Sequence, residues 1–183
     1  MRIAAAIGAF FIVAAAGAVA FIYSGFYDIA ATTPHSDLTW RVLRTAMEQS
    51  VKRQARNVKV PELDDPEKVH MGFKYFNEMC VVCHGAPGAS PSQLSKGLYP
   101  EAPDLAKAAR AWTPAELYVI IKGGIKMSGM PAWSPTHSGE ELWGIVAFLK
   151  TLPTMPATEY QGAVEYYKKS AAGKSMESQT GHH

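Results

Sequence analysis

The stretch Cys80-Val81-Val82-Cys83-His84 constrains this chain more than any other, because it contains both of its cysteines. The two thiols are three residues apart, and an imidazole follows the second one directly. Three kinds of site use such a pair: a dithiol that is reversibly oxidised, half of a zinc site, or an attachment point for haem. The rest of the sequence discriminates among these three.

A structural zinc ion takes four ligands, usually from two cysteine pairs or from matching histidines. The chain has no second cysteine pair, and its other histidines are scattered or lie at the chain end (His35, His70, His137, His182 and His183). A thioredoxin-like dithiol belongs in a βαβ setting, and the sequence has no alternating strand pattern of any length. Haem attachment needs two thiols for the two vinyl groups and a histidine that reaches the iron. The pattern therefore predicts a haem at Cys80 and Cys83, with His84 as an iron ligand.

Residues 3–23 form an apolar run without a charged or strongly polar side chain. As a helix the run would be roughly 30 Å long, which is enough to cross a bilayer core. Arg2 precedes the run and Arg41 is the first cation after it, so everything beyond residue 24 is expected outside the cytoplasm. The length of the run and its aromatic end favour a retained anchor, whereas Ala18-Val19-Ala20 resembles the cleavage site of a signal peptide. We predict a single-pass anchor, with a cleaved signal as the alternative.

The formal net charge is only +2, which does not indicate a nucleic-acid partner. The cations concentrate in residues 36–60. This segment contains six cationic side chains and only two acidic ones, Asp37 and Glu48. A helix is predicted from Ser36 or Asp37 to about 57, with an apolar stripe formed by Leu43, Met47, Val51 and Ala55. This narrow stripe favours contact with another protein over insertion into a membrane surface.

Helix signals recur after a proline-broken linker at 60–68. We predict helices over about 66–79, from Thr113 to Gly123, from Ser138 to Pro153 and over about 157–169. Residues 85–111 are predicted to be mostly loop, and the last ten residues a flexible tail. The predicted organisation is an anchor at 1–23, a connector and basic helix at 24–60, a main domain at 61–155 and a C-terminal helix and tail at 156–183.

From about residue 66 to 153 the chain resembles a class I c-type cytochrome, of the single-haem kind found in bacterial respiratory chains. The resemblance rests on GFKYFNEMCVVCHG (72–85), APDL (102–105), TPAELYVIIKGGI (113–125), GMPAW (129–133) and ELWGIVAFLKTL (141–152). It implies an all-α fold, in which a cytochrome c domain follows an N-terminal transmembrane helix and an amphipathic helix. It also implies contact between the first and last helices of the domain through Gly72, Phe76, Trp143 and Phe148.

The second axial ligand of the iron is assigned by this resemblance to Met130, in Gly-Met-Pro. Met127 lies three residues earlier and is expected to pack nearby, although thioether chemistry alone does not separate the two. A proline carbonyl is expected to orient His84 through its second ring nitrogen. Pro87 and Pro91 are candidates, and the choice stays open.

Histidine and methionine together fill both axial positions, so the implied protein is an electron carrier rather than an enzyme. It has one covalently attached haem c, no small-molecule substrate and no nucleic-acid partner. Its expected partner is a membrane-bound redox complex or terminal oxidase. The protein is expected to span the inner (cytoplasmic) membrane of a bacterium once, with its haem domain in the periplasm. The connector and basic helix are predicted to hold the protein against that complex. The alternatives are a cytochrome subunit docked in a larger membrane enzyme and a haem-based sensor of small ligands.

Overall fold

The computed structural model describes residues 2–180 of the chain, and the elements found there are helical, as predicted. The chain divides into two compact units after Pro34. In the first, helix α1 runs from Arg2 to Tyr23 and has no buried residue. Among the described residues, α1 is the one helix long and apolar enough to cross a membrane.

The second unit contains the other helices. They are α2 (Asp37–Ala55), α3 (Pro66–Tyr75), α4 (Val81–His84), α5 (Leu105–Ala111), α6 (Pro114–Gly123), α7 (Gly139–Thr151) and α8 (Ala157–Thr180). A π-helical segment, Phe76–Cys80, joins α3 to α4, and short 3₁₀ turns occupy Ser95–Gly97 and Leu152–Thr154. Helix α8 extends past the predicted end at residue 169, and the rest of the predicted tail, 181–183, lies outside the described residues.

Helices α3 and α7 cross at a pair of glycines. A Cβ atom on Gly72 would lie 1.8 Å from the carbonyl oxygen of Gly144, so the two backbones touch where no side chain fits. Phe76 and Phe148 are both buried next to this crossing, with ring centroids 5.0 Å apart. Three of the four residues predicted for this helix contact thus lie in it, whereas Trp143 stacks on Tyr118 of α6 with centroids 4.2 Å apart.

The caps predicted for α6 and α7 are present. Thr113 and Glu116 form a reciprocal capping box at the start of α6, and Ser138 and Glu141 form one at the start of α7. Residues 85–111 are mostly loop, as predicted, but their last seven residues form α5, which was not predicted. Asp104 accepts hydrogen bonds from the backbone N–H groups of Ala106 and Lys107 at 2.9 and 3.4 Å, and this cap starts the helix.

Helix α2 packs along α6, within the same unit as the main domain. Val51, from the middle of its apolar stripe, is 6% exposed. At the start of α2, the backbone N–H of His35 donates to the hydroxyl of Tyr99 at 2.9 Å. The middle of the stripe is therefore covered by the protein itself rather than by the predicted partner, whereas Leu43 at its start is 41% exposed.

Candidate haem-attachment site

The two cysteines occupy adjoining short elements after α3. Cys80 ends the π-helical segment and Cys83 lies in α4, so the thiols are one helical turn apart. Both are half-buried and neither forms a disulfide. Burial raises the pKa of the Cys80 thiol to about 12, and the neighbouring Cys83 adds to the shift. This environment disfavours a reactive thiolate at Cys80 as long as no metal is bound.

His84 is the last residue of α4. Its Nδ1 atom lies 2.8 Å from the carbonyl oxygen of Pro103. If Nδ1 carries the proton and donates it there, Nε2 is left with a lone pair for a metal. Desolvation lowers the pKa of His84, opposed in part by the bond to Pro103, and the neutral imidazole is the form that binds a metal.

The carbonyl that orients His84 was not identified from the sequence. Pro87 and Pro91 were the candidates, but the structure uses Pro103, nineteen residues after His84. Pro91 instead packs near Gly85, where a Cβ atom would lie 3.0 Å from its Cδ. Pro103 sits in the APDL stretch that carried part of the resemblance, directly before the Asp104 cap. That stretch was the sequence signal that could have identified Pro103 as the partner of His84.

The segment after α4 folds back over it through two serines. The buried hydroxyl of Ser95 donates to the carbonyl oxygen of Cys83 at 2.5 Å. The backbone N–H of Ser92 donates to the carbonyl oxygen of Val82 at 3.1 Å. Neither serine stood out in the sequence, because both act on the backbone of a segment that is distant along the chain.

Met130 lies in a tight loop after α6. The backbone N–H of Ile125 donates to the carbonyl oxygen of Met130 at 3.1 Å. Ser128 supports the turn, since its hydroxyl donates to the carbonyl of Ile125 at 2.8 Å and accepts from the N–H of Met130 at 3.2 Å. Gly124 closes the loop with φ +63°, and a Cβ atom there would lie 2.6 Å from the backbone nitrogen of Ala132. The loop is therefore held in one shape by its own backbone and by the hydroxyl of Ser128.

The two methionines of this loop differ in exposure. Met130 is half-buried, whereas Met127 is 83% exposed and has a positive φ of 59°. The loop also contacts the segment that covers α4, because Gly129 packs against Leu98; a Cβ atom there would lie 2.6 Å from a methyl carbon of that leucine. Leu98 follows Ser95 by three residues. One segment therefore contacts both the Met130 loop and the turn of residues 80–84, which contains the two cysteines and is called the cysteine turn below.

No other metal site competes with this one in the described part of the chain, where no three His, Cys, Asp or Glu side chains group around a possible ion. His70 is exposed, and His137 lies against the rings of Tyr75 and Trp133. The donors present therefore fit haem better than zinc: two unpaired thiols one turn apart, and a neutral imidazole whose Nδ1 is engaged.

Comparison with known families adds to this geometry. Residues 67–149 match the sequence model of the family described as cytochrome C oxidase, cbb3-type, subunit III. This segment is a cytochrome c domain. The resemblance predicted for about 66–153 is thereby confirmed. The domain extends from α3 into α7 and contains the cysteine turn, Pro103 and the Met130 loop, while α1, α2 and α8 lie outside it. No solved structure matches the chain.

Proposed function

We propose that this chain is a membrane-anchored c-type cytochrome with one haem, which transfers electrons between a donor complex or dehydrogenase and an acceptor such as a terminal oxidase. The observation that carries the proposal is the hydrogen bond between His84 and Pro103, beside two unpaired thiols in a cytochrome c domain. A histidine ligand whose second nitrogen bonds to a carbonyl is typical of metal sites.

Each residue of the site has a distinct role in this proposal. Cys80 and Cys83 would hold the haem c covalently, and His84 would be one ligand of its iron. Met130 would be the other ligand, a role supported by its partial burial and by the hydrogen bonds that fix its loop. Haem iron, when bound, takes up and releases one electron. Because both protein side chains would bind the iron, no position would be left for a substrate, which favours a carrier over an enzyme.

The membrane location rests on α1. Its side chains are exposed along its length and apolar, and Arg2 is the only charged residue among those described in it. A helix of this kind serves either as an anchor or as a signal sequence. We favour the anchor because the apolar run is longer than the core of a typical signal peptide. The haem domain then lies on the periplasmic face of a bacterial inner membrane.

One further function is favoured by the family match, whose description names an oxidase subunit. In that case the chain is a permanent subunit of a larger membrane redox enzyme instead of a separate carrier. Gentle solubilisation of the native membrane, followed by identification of what migrates with the haem, separates the two. A haem band that migrates alone supports the carrier, and an oxidase that stays with it in fixed ratio supports the subunit.

A direct test of the carrier chemistry uses carbon monoxide. The reduced protein should bind it slowly or not at all, because Met130 occupies the position that the gas needs. Rapid binding by the unmodified protein would contradict the proposal and favour a sensor of small ligands.

A further inference from the structure

Helix α2 has a second face, opposite to the one that contains the buried Val51. Val42 precedes Val51 by nine residues, which is two and a half helical turns, and it is 58% exposed. Leu38, one turn before Val42, is 73% exposed. Two large aliphatic side chains therefore sit next to each other in solvent near the start of the helix. We call the side that carries them the outward face.

The same face becomes cationic toward the end of the helix. Arg53 follows Val42 by about three full turns and Arg56 follows it by about four, while Lys52 lies at the edge of the same face. All three side chains are exposed. The ion pairs found among the described residues are Arg44 with Glu48 and Lys107 with Asp104, so none of these three cations is neutralised there.

We propose that the outward face of α2 lies on the anionic phospholipid headgroups of the membrane that α1 crosses. The inference rests on the proposed anchoring by α1. Leu38 and Val42 enter the interface, and Lys52, Arg53 and Arg56 contact the phosphate groups. The buried face stays on α6, so one helix connects the haem domain to the lipid surface.

Because α2 is covalently linked to α1, even a weak affinity of the outward face for lipid is enough to keep α2 at the membrane. Only residues 24–36 separate the end of α1 at Tyr23 from the start of α2 at Asp37, and a chain of that length reaches about 45 Å at most. Such a linker holds the face at a millimolar effective concentration near the membrane. Each cation near an anionic surface strengthens binding about fivefold, so three cations suffice where the tether has already brought them close. The connector itself exposes Phe26 (83%) and Ile29 (91%), side chains suited to the same interface.

The size of the face argues against a protein partner. Helix α2 has 19 residues. It is therefore about 28 Å long, and one side about 10 Å wide covers only roughly 300 Å². A stable protein interface buries about 800 Å² on each partner. The outward face is too small for that on its own, whereas a tethered helix on lipid has no such requirement.

Photocrosslinking of the full-length haem protein in lipid nanodiscs tests this contact. Benzoylphenylalanine replaces Val42 in one sample and Gln54, an exposed residue elsewhere around α2, in the control. In nanodiscs of phosphatidylcholine and phosphatidylglycerol in equal parts, we expect at least about fivefold more lipid adduct at 42 than at 54. The excess should disappear at high salt, because salt screens the cations.

The charge requirement has its own matched control. Lys52→Gln with Arg53→Gln and Arg56→Gln should lower the adduct at 42 about fivefold or more, whereas Lys168→Gln with Lys169→Gln on α8 should not change it. Equal adducts at 42 and 54, or adducts to a co-purified protein in native membranes, would overturn the inference. Elution with the nanodisc and the haem absorbance are read on the same samples. Their loss would overturn the proposed anchor or cofactor, whereas intact elution and absorbance without lipid adducts would overturn this inference alone.

Discussion

The Nδ1 atom of His84 lies 2.8 Å from the carbonyl oxygen of Pro103, and Asp104 follows that carbonyl directly as the cap of α5. The cap fixes the backbone on the carboxyl side of Pro103, so α5 holds the acceptor of the hydrogen bond in place. The histidine of the site is thus oriented by an element that lies about twenty residues further along the chain.

Asp104→Ala should therefore affect His84 as well as α5. We expect a loss of about 1 kcal/mol in the free energy of unfolding, because two backbone N–H groups lose their acceptor. The Nδ1 proton of His84 should also exchange faster with solvent, measured by NMR. Asp104→Asn keeps an acceptor at the same position and should restore both values. Slow exchange in Asp104→Ala would show that the cap does not position the Pro103 carbonyl.

The two methionines of the loop give opposite predictions. Met130→Ala should remove the weak near-infrared band that methionine ligation gives to oxidised haem, and should lower the reduction potential. Met127→Ala is the matched control, since this side chain is 83% exposed, and the band should persist. The reverse pattern in the absorption spectra would exchange the two assignments.

The crossing of α3 and α7 predicts a strong effect of a single methyl group. Gly72→Ala places a Cβ atom 1.8 Å from the carbonyl oxygen of Gly144, so the helices must separate. We expect a loss of at least about 2 kcal/mol in the free energy of unfolding by denaturant. Gly162→Ala in α8 is the control, because nothing lies within 4 Å of its Cβ position, and it should stabilise by roughly 0.5 to 1 kcal/mol. Equal effects of the two substitutions would contradict the close crossing.

Acid should weaken the hydrogen bond between Tyr75 of α3 and Glu141 of α7. Tyr75 donates its hydroxyl to the carboxylate of Glu141, and this bond, together with those from Ser138, lowers the pKa of Glu141 to about 2. A lowered pKa in the folded state stabilises it above the unfolded value of 4.5, and this contribution is lost as the pH falls toward 2. Glu141→Gln should therefore be less stable than the unmodified protein at neutral pH, and the difference should shrink between about pH 4.5 and 2. Urea unfolding at several pH values measures it, and a constant difference would contradict this view.

Local signals predicted much of this structure. Ser138 and Pro153 predicted the start and the end of α7, and Thr113 with Glu116 predicted the capping box of α6. The spacing of the two cysteines and His84 was sufficient to identify the cysteine turn. Such features depend on residues within a few positions of each other, so the sequence displays them directly.

The features that were missed depend on contacts distant along the chain. The partner of His84 is Pro103, the Ser95 hydroxyl bonds to the carbonyl of Cys83, and Gly129 packs on Leu98. Helix α2 was identified correctly, but nothing local indicated that its stripe packs on α6. Periodicity predicts which face of a helix is buried and leaves open what covers it.

Covalent haem attachment at Cys80 and Cys83 is the central claim, and it is tested most directly by extraction followed by intact-mass measurement. The full-length protein, expressed in a bacterium that attaches haem c, is treated with acidic acetone and then with a thiol-alkylating reagent under denaturing conditions. We predict that the haem stays with the polypeptide, that neither cysteine is alkylated, and that Cys80→Ser with Cys83→Ser abolishes the haem mass. Haem that is extracted by the acetone, with both thiols then alkylated, would contradict attachment at this site.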